Sequence, residues 1–317
     1  MSATFTATED CHRIFRSAHD ASALVGEGEI LRQPELADTL ETLAIEGDAL
    51  FYRGEIAAAI AADMGAGGQI SRDDLASYTV ERREPLTLDY HGVRMHTNPP
   101  PSSGGLLIAF GLALLENLDV ASLGAASCDY LHTLVDVFGA TAEARVAAAG
   151  AGVLDAGQML DAGYLTRYRD EIAGRAASRR GTTHMSVIDG AGNLASLTVS
   201  NGEGSGYVVP GTGIVMNNML GEEDLNPGGF QRWPVAHRMT SMMAPTLLEW
   251  PEGETVALGS GGSNRLRTAI LQVLVNLIDF ELPVEEAVHA PRVHYENGLL
   301  SVEGGFDLEA LAPLLQA

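Results

Sequence analysis

The stretch "RRGTTHMSVIDGAGN", residues 179–193, carries two threonines and a histidine between a basic loop and an alternating apolar run. A threonine hydroxyl is a poor nucleophile unless a base stands beside it. One economical solution makes the threonine the first residue of a chain. Its own α-amino group, of unperturbed pKa about 7.7–8.0, then accepts the proton. An internal threonine needs a cleavage first. The small, basic segment "AGRAASRR", residues 173–180, reads as an exposed loop leading into a strand, so "SRRG" followed by "TTH" has the layout of a cut site with a fixed downstream side. A plain loop entering an edge strand fits the same spacing.

Three further stretches hold groups that could serve such a nucleophile. "GSGGSN", residues 259–264, ends a strand and opens an apolar helix. Backbone N–H groups at a helix start can hold a developing oxyanion; a tight strand-to-helix turn is the other reading. "RMTSMMAPT", residues 238–246, offers hydroxyls for a polar substrate or methionines for a core. "GEEDLNPGG", residues 221–229, could grip an amine or be a solvated loop.

Other chemistries are excluded or weakly supported. All 19 basic residues are arginine. With no lysine there is no Walker-type phosphate lysine, no Schiff base and no Ser–Lys dyad. No serine sits in a GxSxG elbow, and the glycine clusters do not fit a dinucleotide fingerprint. No HExxH occurs, and Pro291 separates His289 from His294. Cys11 and Cys128 read as free thiols. A net charge of −23 argues against a nucleic-acid partner. No apolar run is long enough to span a bilayer, and the polar N-terminus lacks a signal pattern, so the expectation is no membrane partner and a cytoplasmic default.

These groups need elements to position them. "PELADTLETLAIEG" and "GEIAAAIAADMGAGG" have helical spacing, and "DDLASY" a short capped turn. "LTLDYHGVRMHTN" reads as a hairpin broken by "PPPSSGG". An alanine-rich helical region follows from about Gly105 to Asp170, interrupted near 119–127 and 150–155. The chain then turns to strands. Hairpins are expected in "THMSVIDGAGNLASLTVSN", "APTLLEWPEGETVALGS" and "RVHYENGLLSVEG", and a strand in "GIVMNN"; "NRLRTAILQVLVNLIDF" and "PVEEAVHAP" read as helices. A helix-rich half thus precedes a sheet-rich half, which predicts a layered α+β fold.

Together the motifs resemble the γ-glutamyltranspeptidase family of N-terminal-nucleophile hydrolases. They are "LRQPELADTLETLAIEGDALFYRGEIA", "NPPPSSGG", "GTTHMSVIDGAGNLASLT", "PGTGIVMNNMLGEEDLNP", "RMTSMMAPT" and "GSGGSNRLRTAILQVL", in that order from about Leu31 onward. The resemblance implies a four-layer αββα sandwich and a precursor that cleaves itself at Gly181–Thr182. It would yield a large-subunit-like half, 1–181, and a small-subunit-like half, 182–317, intertwined as a heterodimer. Thr182 would attack a γ-glutamyl amide such as that of glutathione, and pass the acyl group to water or an amine. No metal or organic cofactor is expected, since the threonine and its amine suffice.

By the same resemblance, the hydroxyl that steadies the nucleophile falls on Ser200, where threonine is usual. The oxyanion donors fall on Gly262 and Ser263, where the family usually has two glycines. The serine pair for the substrate carboxylate falls on Ser241 and Met242, losing its second member. Asn201, Glu203, Gly261, and one of Glu222, Glu223 or Asp224 complete the expected substrate contacts. The family's carboxylate-binding arginine lies in an N-terminal segment that nothing here matches, and "FDLEALAPLLQA" stops short of its last strands. The departures gather in the substrate pocket rather than at the nucleophile. An acylase for a non-glutamyl amide, such as a β-lactam side chain, and a catalytically silent relative are therefore the alternatives.

Overall fold

Of the 317 residues, the computed structural model describes 2–65, 68–150, 155–169, 182–202, 204–222, 225–226, 229–296, 298–307, 311–312 and 314. The loop 173–180, Gly181, Glu203, Glu223 and Asp224 lie outside the described residues. Two compact units are formed, one from 1–82 with 201–219 and one from 83–200 with 220–317. The expected boundary at 181/182 falls inside the second unit.

The first unit carries α1 (Ser2–Phe5), α2 (Glu9–Phe15), α3 (Pro34–Glu46), α4 (Ala49–Tyr52), α5 (Glu55–Met64) and α6 (Arg72–Ser77). Pro34 opens α3, where its missing N–H has no helical partner to lose. Ser71 and Asp74 cap α6 reciprocally. Ile56, Ala57, Ile60, Leu75 and Val209 form the small core. The helices α1 and α2 are too short to leave a periodic signal. The strand expected over "GIVMNN" does not form; only an isolated Val208–Val215 bridge does. The reason lies in its polar groups. Backbone bonds from Val209 to Ile214, Met216 to Tyr207 and Ser205 to Met216, each 2.9 Å, hold 214–216 beside 205–209. The Ile214 amide, however, donates to the Thr212 hydroxyl (3.0 Å) while the Val209 carbonyl accepts the Thr212 amide (3.2 Å), so the pairing stops there.

The second unit contains β1 (Leu86–Tyr90), β2 (Val93–Thr97), α7 (Ser103–Leu115), α8 (Val120–Leu123), α9 (Cys128–Gly150), α10 (Ala156–Met159), α11 (Ala162–Arg169), β3 (Thr183–Ile188) and β4 (Leu194–Val199). It continues with β5 (Thr246–Glu249), β6 (Thr255–Leu258), α12 (Arg265–Ile278), α13 (Val284–His289), β7 (Val293–Glu296) and β8 (Leu299–Val302). β1-β2-β5-β6 form an antiparallel sheet, while β3-β4 and β7-β8 are two-stranded. Every residue of α7 is buried, as its unbroken apolar run requires. It packs against α9, α11, α12 and β1. Each fully buried leucine or phenylalanine there contributes about 1.5–3 kcal/mol.

The hairpin β3-β4 meets β6 with its polar face. Ser186 Oγ donates to the Ala257 carbonyl (2.9 Å) and Ser196 Oγ to the Leu258 carbonyl (3.0 Å). Side-chain hydroxyls of the hairpin thus donate to backbone carbonyls of β6. The opposite, apolar face, with Met185, Val187, Leu197 and Val199, is exposed.

Candidate active site

Thr182 immediately precedes β3, and the first rung of the hairpin pairs Thr183 with Val199. One step further, Thr182 and Ser200 face each other with their hydroxyl oxygens 3.4 Å apart. The 18-residue separation closes because the turn is fixed: Asp189 accepts the amides of Ala191 and Asn193, each at 2.9 Å. The register then leaves no freedom in which residue meets Thr182.

The turn after β6 comes to the same place. A Cβ on Gly261 would run into the carbonyl oxygen of Thr182. Gly262 and Ser263 follow with φ of +119° and +55°. A serine with positive φ stores roughly 1 kcal/mol of backbone strain. Ser263 is buried, and its carbonyl accepts the Leu266 amide at 3.0 Å, which starts α12. The nucleophile candidate and the helix-start turn therefore share one small volume.

Two residues beyond Thr182, on the same face of β3, His184 is held between hydroxyls. Its Nδ1 lies 2.9 Å from Thr198 Oγ1 and its Nε2 2.9 Å from Ser186 Oγ. Burial lowers its pKa from the ordinary value, which favours the neutral ring. Sequence reading did not single out His184. The signal was its two-residue spacing from Thr182, which puts both on one face of a strand.

Ser241 is anchored by α7. Its carbonyl accepts the amides of Ser103 (2.9 Å) and Gly104 (3.2 Å) and the hydroxyl of Ser103 (3.1 Å), while the Ser102 hydroxyl donates to the neighbouring Met243 carbonyl (2.9 Å). The Ser241 hydroxyl lies 3.4 Å from Ser102 Oγ. The "PPPSSGG" stretch thus fixes the 238–246 segment, a role its sequence did not announce. Met242 is a core residue, 3% exposed, with its sulfur 3.5 Å from Ser103 Oγ. Its side chain is packed inward, the core alternative for this segment.

Glu222 is buried, in a loop where Asn226 Nδ2 donates to the Glu222 carbonyl (2.6 Å) and Trp233 Nε1 to Asn226 Oδ1 (2.9 Å). Asn201 belongs to the first unit, with its amide on the Val215 carbonyl. Thr182, Ser200, Gly261, Gly262 and Ser263 are thus brought together within the second unit. Among the described residues, no group of three His, Cys, Asp or Glu side chains could hold a metal ion, and no helix is long and apolar enough to cross a membrane.

The gamma-glutamyltranspeptidase family model matches residues 2–317. The chain belongs to the gamma-glutamyltranspeptidase family. The match begins earlier than the motif-bearing region near Leu31 and takes in α1 and α2. The glutathione hydrolase proenzyme of Pseudomonas aeruginosa is 34% identical over 302 residues, covering 85% of this chain and 53% of the relative. The acylase ACY 1 proenzyme of Pseudomonas sp. strain SE83 is 36% identical over 304 residues, covering 90% and 54%. The chain therefore spans about half the length of the curated relatives it matches. The crystal structure of cephalosporin acylase from Bacillus halodurans superposes with a TM-score of 0.81 at 27% identity, over 99% of this chain and 60% of that one. The fold is the α+β sandwich of the N-terminal-nucleophile hydrolases, as the motifs implied.

Proposed function

We propose that the chain is the catalytic portion of a self-processing threonine amidohydrolase or acyltransferase that acts on γ-glutamyl amides such as glutathione. The observation that carries this reading is the 3.4 Å approach of the Thr182 and Ser200 hydroxyls beside Gly261. Cleavage of Gly181–Thr182 frees the Thr182 α-amino group, which is the general base. It takes the hydroxyl proton as Oγ1 attacks the amide carbon. Ser200 orients the attacking oxygen. The Gly262 and Ser263 amides receive the oxyanion. The protonated amine then gives its proton to the leaving amine, and water or an amine takes the acyl group from Thr182. Ser241 and Glu222, in the same unit as Thr182, hold the substrate. The halves 1–181 and 182–317 remain together as a heterodimer.

A second reading, an acylase for a non-glutamyl amide, is favoured by Met242. Its side chain lies in the core where the family has a second serine for the substrate carboxylate. Relatives named acylases support the same reading. Turnover of γ-glutamyl-p-nitroanilide against a cephalosporin side-chain amide separates the two. Release of p-nitroaniline, lost in Thr182→Ala, supports the first. Cleavage of the cephalosporin amide alone supports the second, and turnover of neither by the cleaved protein contradicts both.

A further inference from the structure

We propose that His184 is a positioning residue that sets the height of the 259–264 turn above the nucleophile. The inference rests on the reading of Thr182 as that nucleophile, and adds to it the device that aligns Thr182 with its oxyanion donors.

Hydrogen-bond direction fixes the ring. Ser186 has one hydroxyl proton, and it goes to the Ala257 carbonyl at 2.9 Å. Its oxygen must then accept from His184, so Nε2 carries the ring proton. Nδ1 is bare and accepts from the Thr198 hydroxyl at 2.9 Å. Thr198 is buried, which protects this bond from water. The chain Thr198–His184–Ser186–Ala257 thus links β4, β3 and β6 through one neutral imidazole. Burial, which lowers the His184 pKa, favours the same state.

The ring also acts as a floor. A Cβ on Gly259 would overlap the His184 imidazole, at Cε1, Nδ1 and Cγ. The Gly259 backbone therefore rests directly on the ring. Two residues on, Gly261 rests on the Thr182 carbonyl in the same way. The contacts 184–259 and 182–261 run in opposite directions along the two chains, like two rungs. Tilting or removing the ring drops the first rung and shifts the turn that bears Gly262 and Ser263. A shift of that kind degrades transition-state stabilisation and leaves ground-state binding largely intact.

The test is a double-mutant cycle of His184→Ala and Gly259→Ala, with His184→Gln as the conservative variant. Ring and methyl compete for one space, so Gly259→Ala lowers kcat by about tenfold or more in the parent and by less than about threefold once His184 is alanine. KM changes by less than about twofold throughout. His184→Gln, which keeps a donor for Ser186, recovers at least about threefold in kcat over His184→Ala. Equal losses from Gly259→Ala in both backgrounds, or a loss carried by KM, would overturn the proposal. If the parent protein turns over no amide, the functional reading fails separately. Thermal unfolding then reads the same cycle: a drop in Tm from Gly259→Ala that disappears without the ring supports the contact, and an equal drop in both backgrounds refutes it.

Discussion

The Gly261 Cα lies against the Thr182 carbonyl oxygen so closely that no side chain fits between them. An alanine at 261 pushes the turn off Thr182, and with it the proposed oxyanion donors at 262 and 263. Gly261→Ala is expected to lower kcat by about a hundredfold or more, the cost of misplacing reacting groups by about an ångström. Single-turnover kinetics on cleaved protein check it. Retention of near-parental kcat would mean the turn is not part of the machinery.

Ser200 touches Thr182 through a long, 3.4 Å hydroxyl contact. A neutral hydrogen bond of this kind is worth about 0.5–1.5 kcal/mol. Ser200→Ala should therefore lower kcat by threefold to about tenfold and leave KM nearly unchanged. Ser200→Thr keeps the hydroxyl and should stay within about twofold of the parent. Steady-state kinetics on the three proteins decide it.

The pH dependence follows from the base. The α-amino group freed at Thr182 accepts a proton only when neutral, so activity rises with pH through its pKa. With an ordinary α-amino value the rising limb of kcat/KM centres at about 7.7–8.0. A profile flat between pH 6 and 9 would contradict this assignment.

Stability depends on a separate, buried charge cluster. Glu296 of β7 lies 2.8 Å from Arg267 of α12, 3.8 Å from Arg145 of α9, and 3.6 Å from His294. Burial alone would raise the Glu296 pKa. The nearby His294 ring and the two guanidinium groups outweigh it and bring it from 4.5 to about 2. A depressed carboxyl pKa gives stability that is present above 4.5 and lost as the pH falls towards 2. Its full contribution is about 3 kcal/mol. Glu296→Gln should destabilise the protein by about 3–5 kcal/mol at neutral pH, because it leaves guanidinium charge buried. It should also remove this part of the acid sensitivity. Urea unfolding of both proteins at pH 6 and pH 3 measures the difference.

The legible parts of the molecule were those with a local signal. Pro34 and the 3.6-residue period marked α3, and the Asp189–Asn193 turn with its flanking alternation marked β3-β4. Ser200 entered only through the family resemblance; the turn is what fixes the register that brings its hydroxyl to Thr182. Over "GIVMNN" the alternation marks a segment that pairs only briefly with 205–209, because the Ile214 amide turns to the Thr212 hydroxyl, which no pattern reveals. Which face of β3-β4 turns inward was also hidden, since it depends on carbonyls of β6, 62 and 71 residues away. Met242 was open to either reading by position; its unbranched apolar side chain follows ordinary burial and joins the core. His184 and Ser102 went unnoticed because their partners, Gly259 and Ser241, are distant in the chain.

The central claim is that the Gly181–Thr182 bond is cut by the chain itself and that Thr182 then acts as nucleophile. Intact mass after purification tests it most directly. The parent should resolve into two fragments whose masses correspond to 1–181 and 182–317, and Thr182→Ala should remain a single chain. A parent chain that stays whole after prolonged incubation at low and high salt, or a Thr182→Ala variant cut at the same bond, would contradict the account.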